Sequence, residues 1–459
     1  MNDDKYKNFL QILPVTHSVA MKIGLPIDSV TVKAMISVIM AKETEGGTGA
    51  PTKVCFVLDK SYSTNEKIKA ESGQNKIYQA IASAAIKTIN QMGDQDEVAV
   101  VAFDDSADII APLTPCSLEG KERVIGQIEA CYFPNGGTNY TVGLEKAVEV
   151  LSCCEGKKVI IFVSDGQHQP CYPDPANGQP SLAEKIRESG VSIYTAAVSD
   201  NLAPEDEKRL INMSGGHSFK AAITGDEIAK YFAAAFKKAS RSAVTNAELT
   251  FASIGLVQKV LSFELVHRNG KMSYVEGIGT ERQDGEFAIG KVLLGDIAPG
   301  DRIDCLIRFQ TRLPKFGEGV TERKNSFGAL TVQGLIPADG VNDVIEIGSE
   351  EMYQWFKTAT SGVTNSAVDI IDAAAEGARA MDAASKTSNV IEQNEILDAA
   401  AKKMRQTMVD FGDEDDGTLT DALNSVQSIL SSSQNATERQ KAAKRQTLVE
   451  FDEEDLVEV

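Results

Sequence analysis

Between Thr52 and about Ala239, short apolar runs alternate along the chain with segments of helical periodicity. The apolar runs are residues 54–58, 98–103, 159–163 and 191–198. Near-continuous apolar runs of this length are typical of strands that are buried on both faces of a parallel sheet. A helix between the first two runs is indicated by an apolar stripe at Ile77, Ile81, Ala85, Ile89 and Met92. This alternation predicts a doubly wound α/β domain over residues 52–240.

The segments on either side of this domain show the period-two pattern of strands with one buried face. Every second position of residues 30–40 is apolar, and the same alternation recurs at Ile303, Cys305, Ile307 and Phe309. Turn sequences with Gly or Pro separate the short strands of residues 241–348, which is typical of an antiparallel β-sandwich. The N-terminal β segment, residues 1–51, has no other sheet to join. We therefore expect it to pair with the sandwich, so that the α/β domain is inserted between its parts.

Residues 349–448 are rich in Ala, Gln and Ser and carry three apolar stripes at helical spacing. The stripes are Val368, Ile371, Ala375, Ala378 and Met381; Leu397, Ala401, Met404 and Met408; and Leu419, Leu423, Val426 and Leu430. They predict a C-terminal helical region that forms a bundle or packs on the preceding domains. The composition of residues 449–459 predicts a solvated acidic tail.

Charge and composition narrow the classes of function. The chain has 46 Lys and Arg against 66 Asp and Glu, a net charge of −20, which disfavours nucleic acid and anionic membranes as partners. No apolar run reaches the about 18 residues that suggest a membrane span, and the N-terminus lacks the apolar region of a secretory signal. The seven cysteines are an odd number without a CxxC pair, which favours reduced thiols. We expect a cytoplasmic, multidomain protein.

Oxygen-bearing side chains occur in three loops that are predicted to lie at the carboxyl ends of strands. These side chains are Asp59, Ser61, Ser63, Thr138 and Asp165. Because ligands bind at the carboxyl ends of the strands in open α/β sheets, we expect these side chains to meet at one edge. Carboxylate and hydroxyl oxygens suit Mg²⁺, and Mn²⁺ or Ca²⁺ would also fit. The sequence therefore predicts a divalent-metal site.

At these positions the sequence resembles the von Willebrand factor type A family. The metal-ion-dependent adhesion site of that family combines an Asp-x-Ser-x-Ser motif with a distant Thr and a distant Asp. The resemblance covers about residues 52–239 and implies a Rossmann-like domain with an intact site, in an intracellular, bacterial-type multidomain protein. It implies that the hydroxyls of Ser61, Ser63 and Thr138 bind the metal, and that Asp59 and Asp165 bind it directly or through water. An Asp or Glu of a partner protein would complete the coordination.

Two residues depart from the family pattern. The family often has Gly between the two serines and a small residue before them, whereas this chain has Tyr62 and Lys60. Tyr62 either packs as an anchor of the loop or lines the groove that a partner enters, and we expect the anchor. Lys60 either is solvated or offers its charge to an acidic partner, and we expect a solvated side chain.

Motifs of the common enzyme classes do not occur in the sequence. There is no GxxxxGK[ST] nucleotide loop, no GxSxG around Ser164, and no zinc-ligand spacing among the four histidines. We therefore expect a non-enzymatic, divalent-metal-dependent module or scaffold for protein–protein interaction. An alternative is a subunit of an ATPase-driven chelatase or remodelling complex, which would require a separate ring ATPase.

One motif near the C-terminus occurs twice. Residues 405–411 read RQTMVDF and residues 445–451 read RQTLVEF, each with Lys before it and acids after it. The bases before Thr407 and Thr447 resemble substrates of basophilic Ser/Thr kinases, and the acid three residues later resembles the phosphothreonine pattern read by forkhead-associated domains. A further alternative is therefore a phosphorylation-controlled signalling scaffold, with a kinase, a phosphatase or a forkhead-associated domain as partner. The simpler interpretation is structural, with two similar helix ends that place their apolar side chains in one type of groove.

Overall fold

The computed structural model describes residues 9–16, 19–20, 29–42, 51–68, 76–152, 154–165, 182–198, 219–221, 224–282, 286–314, 322–337, 344–357, 365–411 and 417–432. These residues form an α/β domain, a two-sheet β-sandwich that precedes and follows it in the chain, and a C-terminal helical region. This architecture confirms the predicted fold class. The first three strands, which belong to the sandwich, are β1 Leu10–Thr16, β2 Val19–Ala20 and β3 Ser29–Met40.

The α/β domain contains a six-stranded sheet. Its strands are β4 Thr52–Asp59, β5 Glu97–Phe103, β6 Ala107–Pro115, β7 Lys157–Ser164, β8 Val191–Ala197 and β9 Phe219–Ala221. Their order is β6-β5-β4-β7-β8-β9, and all neighbours run parallel except β6, which pairs antiparallel with β5. The helices are α1 Ile77–Gln91, α2 Leu118–Cys131, α3 Tyr140–Ser152, α4 Leu182–Glu188 and α5 Gly225–Arg241.

Helices cover both faces of this sheet. Helices α1, α2 and α5 pack on one face, and α3 and α4 pack on the other. Because both faces are covered, every residue of β4 except Lys53 is buried, which explains the continuous apolar run. Stacked ring pairs lie on each side, Phe56 with Phe232 at 5.5 Å and Phe103 with Phe162 at 5.6 Å between ring centroids.

The strands after the α/β domain complete the sandwich. They are β10 Val244–Ser253, β11 Val257–Arg268, β12 Lys271–Glu276, β13 Ile278–Gly279, β14 Ile289–Ile297, β15 Arg302–Arg312, β16 Glu322–Leu335 and β17 Ile345–Lys357. One sheet has the order β1-β3-β15-β11-β12, and the other has the order β13-β14-β10-β16-β17-β2. Strand β3 pairs antiparallel with β15, from Ser29 opposite Arg312 to Ile39 opposite Arg302. The α/β domain is therefore inserted between β3 and β10.

The sandwich extends further along the chain than the boundary predicted at residue 348. Strand β17 ends at Lys357, and the next helix begins at Ser366. The pairing of β17 with β16 shifts register between Val332 and Gln333. Ile347 and Met352 are both fully buried although they are an odd number of positions apart. The strand therefore lacks the regular alternation by which a strand is recognised in a sequence, and the boundary moves to 357.

A buried carboxylate joins the α/β domain to the sandwich. Asp296 of β14 accepts hydrogen bonds from Ser192 Oγ at 2.7 Å and from Tyr194 Oη at 2.9 Å, both on β8. Nearby, within the α/β domain, Lys157 Nζ at the start of β7 donates to the carbonyl oxygen of Ser240 in α5 at 2.9 Å. These contacts lie at the amino ends of β7 and β8. The carboxyl ends of the same strands therefore form the edge that faces away from the sandwich.

Three helices follow the sandwich, namely α6 Ser366–Lys386, α7 Val390–Phe411 and α8 Thr418–Ser432. Their apolar stripes pack against one another and against Met35, Val266 and Leu306 of the sheet that contains β3. None of the helices in the described parts of the chain has the length and apolar character that a membrane-crossing segment needs. The predicted acidic tail lies outside the described residues.

A second buried carboxylate holds this helical region on the sandwich. Asp372 of α6 accepts hydrogen bonds from Lys33 of β3 at 2.7 Å, from Arg308 of β15 at 3.2 Å and from Lys403 of α7 at 2.9 Å. Burial raises the pKa of the Asp372 carboxyl, but these hydrogen bonds outweigh burial and hold the pKa well below its usual range. The carboxylate therefore stays charged and links three elements.

We predict that Asp372→Asn lowers the free energy of unfolding by about 3 kcal/mol at neutral pH, because it removes the buried counter-charge of three cations. Urea unfolding followed by circular dichroism measures this. Because the folded-state pKa is lowered, the contribution of Asp372 is complete above the unfolded-state pKa of about 3.9 and is lost as the pH falls below it. Asp382→Asn is the matched control, since Asp382 pairs with the exposed Lys386 on the same helix. Equal effects of the two substitutions would contradict the prediction.

Candidate metal centre

Asp59 is the last residue of β4, the strand that lies between β5 and β7 in the sheet. Its side chain is fully buried. Strand β7 ends at Ser164 on the same edge, and Asp165 follows it directly. The parallel pairing of β4 with β7 therefore brings two acidic residues, more than a hundred positions apart in the chain, to neighbouring strand ends.

The Asp59 carboxylate joins two of the loops at this edge. Its Oδ1 accepts a hydrogen bond from the backbone N–H of Ser61 at 2.8 Å, and its Oδ2 accepts one from Ser164 Oγ at 2.6 Å. The backbone N–H of Asp165 also donates to Oδ2, at 3.3 Å. These bonds fix the motif that begins at Asp59 against the end of β7.

The two serines of the motif turn their hydroxyls toward each other. Ser61 Oγ and Ser63 Oγ are 3.1 Å apart. The chain continues as a short 3-10 helix, and the hydroxyl of Thr64 donates to the carbonyl oxygen of Ser61 at 2.7 Å. Local hydrogen bonds therefore fix this backbone, and the two hydroxyls form a pair of neutral oxygen donors next to Asp59.

Backbone hydrogen bonds attach the loop of Thr138 to the same motif. The N–H of Asn135 donates to the carbonyl oxygen of Lys60 at 2.6 Å, and the N–H of Tyr62 donates to the carbonyl oxygen of Gly136 at 3.1 Å. Thr138 is 6% exposed and lies just before α3. The structure therefore brings the three separated sequence elements of the predicted site to one edge of the sheet.

Two glycines allow this loop to approach the turn between β5 and β6. Gly136 has a φ of +64°, in the left-handed region that other residues rarely adopt. The N–H of Gly137 donates to Asp105 Oδ2 at 2.8 Å, and a Cβ at Gly137 would lie 2.4 Å from Asp105 Oδ1. A larger residue at either position would displace the loop that carries Thr138.

The charges at this edge fit a divalent cation. The pKa of Asp59 is raised to about 7, first by burial and then by the negative charge of Asp165, while hydrogen bonds from Ser164 and Ser61 oppose the rise. A divalent cation beside both carboxylates would remove their repulsion. Two carboxylates and three hydroxyls are also the hard oxygen donors that Mg²⁺ prefers. Over the described stretches of the chain, no cluster of three or more His, Cys, Asp or Glu offers a metal site of another kind.

The two residues that depart from the family pattern take roles opposite to those expected. Tyr62 is 70% exposed, so its ring does not anchor the loop. Only 13% of the Lys60 side chain is exposed, and its Nζ lies 2.7 Å from Asp108 and 3.3 Å from Asp104. Both expectations were wrong, because the burial of a loop side chain depends on neighbouring loops that local sequence does not specify. Lys60 ties the motif to the β5–β6 turn, and Tyr62 faces solvent.

Three residues that the sequence analysis did not assign to the site support it. Ser164 donates to the Asp59 carboxylate, the hydroxyl of Tyr132 donates to the backbone carbonyl oxygen of Asp59, and Asp105 accepts from Gly137. Burial raises the pKa of Tyr132 well above its usual value, so this hydroxyl keeps its proton. Ser164 carries a sequence signal, because it directly precedes the second acid at a strand end. Tyr132 and Asp105 carry none, since their roles come from long-range contacts.

Thr407, the first predicted phosphoacceptor, lies in α7. Its hydroxyl donates to the carbonyl oxygen of Lys403 at 3.1 Å. Met408 and Phe411 of the same motif are partly buried against the helical core, as the structural interpretation of the repeat expects. Phosphorylation of Thr407 stays a prediction. Thr447 and the second copy of the motif lie outside the described residues.

Comparison with known families agrees with this arrangement. The family model of the von Willebrand factor type A domain matches residues 53–232, which correspond to the α/β domain. This part of the chain is a von Willebrand factor type A domain. Such domains commonly mediate protein–protein interactions. No curated protein matches the sequence.

Two solved structures resemble the chain over nearly its whole length. One is described as von Willebrand factor type A from Catenulispora acidiphila and has a TM-score of 0.65, 13% identity and coverage of 96% of each chain. The other is the ArnB paralog VWA2 from Sulfolobus acidocaldarius, with a TM-score of 0.56, 10% identity and coverage of 96% of this chain and 98% of that one. At these identities the likeness concerns the fold alone. The von Willebrand domain and its flanking parts thus form an arrangement that also occurs in other proteins.

We predict that Asp59→Asn raises the melting temperature of the metal-free protein by a few degrees at about pH 8, because it removes a buried charge that Asp165 repels. The folded-state pKa of Asp59, about 7, exceeds the unfolded-state value of about 3.9. Stability therefore falls as the pH rises from about 4 to about 7, and the gain from Asn shrinks toward about pH 5. Thermal unfolding in EDTA at both pH values measures this. Asp94→Asn, at an exposed position, is the control, and a loss of stability at about pH 8 would contradict the prediction.

Proposed function

We propose that this protein is a divalent-metal-dependent protein-binding module whose metal is held by five side chains, Asp59, Ser61, Ser63, Thr138 and Asp165. The observation that carries the proposal is the fully buried Asp59 carboxylate, which is bonded to Ser61 and Ser164 beside a second buried acid. Such a pair of carboxylates is costly to bury unless a cation accompanies it. When bound, Mg²⁺ would supply a positive centre that accepts one further carboxylate, from an Asp or Glu of a partner protein.

The chain's own residues set the chemistry of this contact. Ser61, Ser63 and Thr138 offer neutral oxygens, so the two carboxylates would balance the double positive charge of the cation without adding a net negative charge that repels a partner's acid. Asp59 orients the Ser61 backbone through its Oδ1 and the end of β7 through its Oδ2. The hydrogen bonds from the sandwich to β8 lie at the amino ends of the strands, so these described contacts do not cover the carboxyl edge. We propose binding rather than catalysis, because the sequence lacks the motifs of the common enzyme classes. Mn²⁺ or Ca²⁺ would also satisfy these oxygens.

We predict that Ser63→Ala weakens Mg²⁺ binding by about tenfold to a hundredfold, because it removes one oxygen ligand without disturbing a buried charge. Isothermal titration calorimetry with MgCl₂ measures the affinity. Ser106→Ala is the matched control, since Ser106 is exposed on the neighbouring turn and its hydroxyl donates to Asp104 at 3.0 Å. An equal affinity in Ser63→Ala and in the wild type would remove Ser63 from the site.

A second prediction concerns the partner. The wild-type chain should retain a cytosolic protein in Mg²⁺ but not in EDTA, and Ser63→Ala should fail to retain it in Mg²⁺. Mass spectrometry identifies the retained protein, and Ala substitution of its exposed Asp and Glu residues locates the carboxylate that reaches the metal. Retention of the same proteins by the wild type in EDTA would place the function on another surface.

A further inference from the structure

The rim of the proposed metal centre carries an exposed aromatic ring beside exposed carboxylates. Tyr62 stands between the two motif serines and is 70% exposed. Asp105 is exposed on the neighbouring β5–β6 turn, and Asp108 is exposed at the start of β6. None of these three residues is among the five proposed metal ligands. They are therefore available for a second contact with whatever approaches the metal.

Tyr62 and Asp105 are attached to the same short loop. The backbone N–H of Tyr62 donates to the carbonyl oxygen of Gly136, and the Asp105 carboxylate accepts from the N–H of Gly137. The next residue after these two glycines is Thr138. Both residues are thus hydrogen-bonded to the segment that leads to Thr138, Tyr62 through its backbone and Asp105 through its carboxylate.

The charge of this rim is negative. Lys60 does not face a partner, because its Nζ is held between Asp104 at 3.3 Å and Asp108 at 2.7 Å. The three carboxylates of Asp104, Asp105 and Asp108 against the single ammonium of Lys60 leave a charge of −2. A partner that brings only acidic groups is attracted by the metal but repelled by this rim. A partner that also brings a cation is attracted by both.

We propose that the partner presents a cationic side chain, Arg or Lys, beside its metal-binding carboxylate, and that Tyr62 and Asp105 receive this cation. The inference rests on the proposed function, since it names the partner chemistry of the same site. The exposed ring of Tyr62 offers a cation–π face, and the Asp105 carboxylate offers an ion pair. A planar guanidinium can use both at once, so Arg fits better than Lys.

This rim also discriminates against the chain's own C-terminus. Residues 450–459 contain six acids and no base, so they offer carboxylates to the metal but no cation to Tyr62 and Asp105. Specificity then comes from repulsion of the wrong acid as much as from attraction of the right one. A peptide with the sequence of residues 450–459 therefore serves as a negative control.

The test uses the full chain and an array of immobilised peptides, each with a single Glu and with Arg, Ala or Asp at one neighbouring position. Binding is measured in Mg²⁺ and in EDTA. At the best position, Arg peptides should bind about threefold to tenfold more tightly than Ala peptides in Mg²⁺. Asp peptides and the peptide of residues 450–459 should bind more weakly than Ala peptides. None should bind in EDTA.

Variants assign the preference to the rim. Tyr62→Ala should reduce the advantage of Arg over Ala peptides, while Mg²⁺ affinity measured by calorimetry stays unchanged. Asp105→Asn, whose amide oxygen can still accept from the N–H of Gly137, should also reduce the advantage of Arg. Tyr62→Phe should keep the advantage, because the ring remains. Asp94→Asn, an exposed acid that precedes β5 at the opposite edge of the sheet, is the matched control and should have no effect.

The outcomes separate this inference from the proposed function. Mg²⁺-dependent binding that is equal for Arg and Ala peptides, or an Arg preference that survives in both Tyr62→Ala and Asp105→Asn, overturns the role of the rim and leaves the metal-dependent function standing. Binding that is the same in Mg²⁺ and EDTA, or no binding although calorimetry detects bound Mg²⁺, overturns the proposed function and the inference with it.

Discussion

A carboxylate buried at the end of a central strand of the sheet is the constraint on which the α/β domain depends. Strand β4 has neighbours on both sides and helices on both faces, so Asp59 at its end has no access to bulk water. The surrounding loops donate three hydrogen bonds to this carboxylate, from the N–H of Ser61, the hydroxyl of Ser164 and the N–H of Asp165. The conformation of these loops and the proposed metal binding therefore depend on the same side chain.

Buried carboxylates also lie where the sandwich contacts the α/β domain and the helical region. Asp296 joins the α/β domain to the sandwich through neutral hydroxyl donors, and Asp372 joins the helical region to the sandwich through three cations. At Asp59, by contrast, the negative charge of a second acid, Asp165, acts on the carboxylate and raises its pKa. The carboxylates at the two joints are thus hydrogen-bonded within the chain, whereas the edge that carries Asp59 would gain stability from an added cation.

The sequence predicts most of this arrangement wherever a local pattern reflects burial. Continuous apolar runs identified four of the six strands of the α/β sheet, and strand-end acids identified the residues of the candidate metal centre. Strand β6 was missed because it is an exposed antiparallel edge with Pro112 inside it and register shifts in its pairing, and the end of β17 was misplaced because a bulge breaks its alternation. Tyr62 and Lys60 were misjudged for a different reason, since contacts with loops distant in sequence decide which of two neighbouring side chains is buried.

The insertion of the α/β domain into the sandwich has a mechanical consequence. Both chain connections of the domain, before Thr52 and after Arg241, leave at the end where β4 begins, and the metal edge lies where β4 ends. A partner that pulls on the metal edge would stretch the domain along β4. The hydrogen bonds of β4 to β5 and β7 run across that direction and would break together under shear rather than one by one. This strand arrangement would therefore resist tension between the carboxyl edge of the sheet and the two chain connections of the domain.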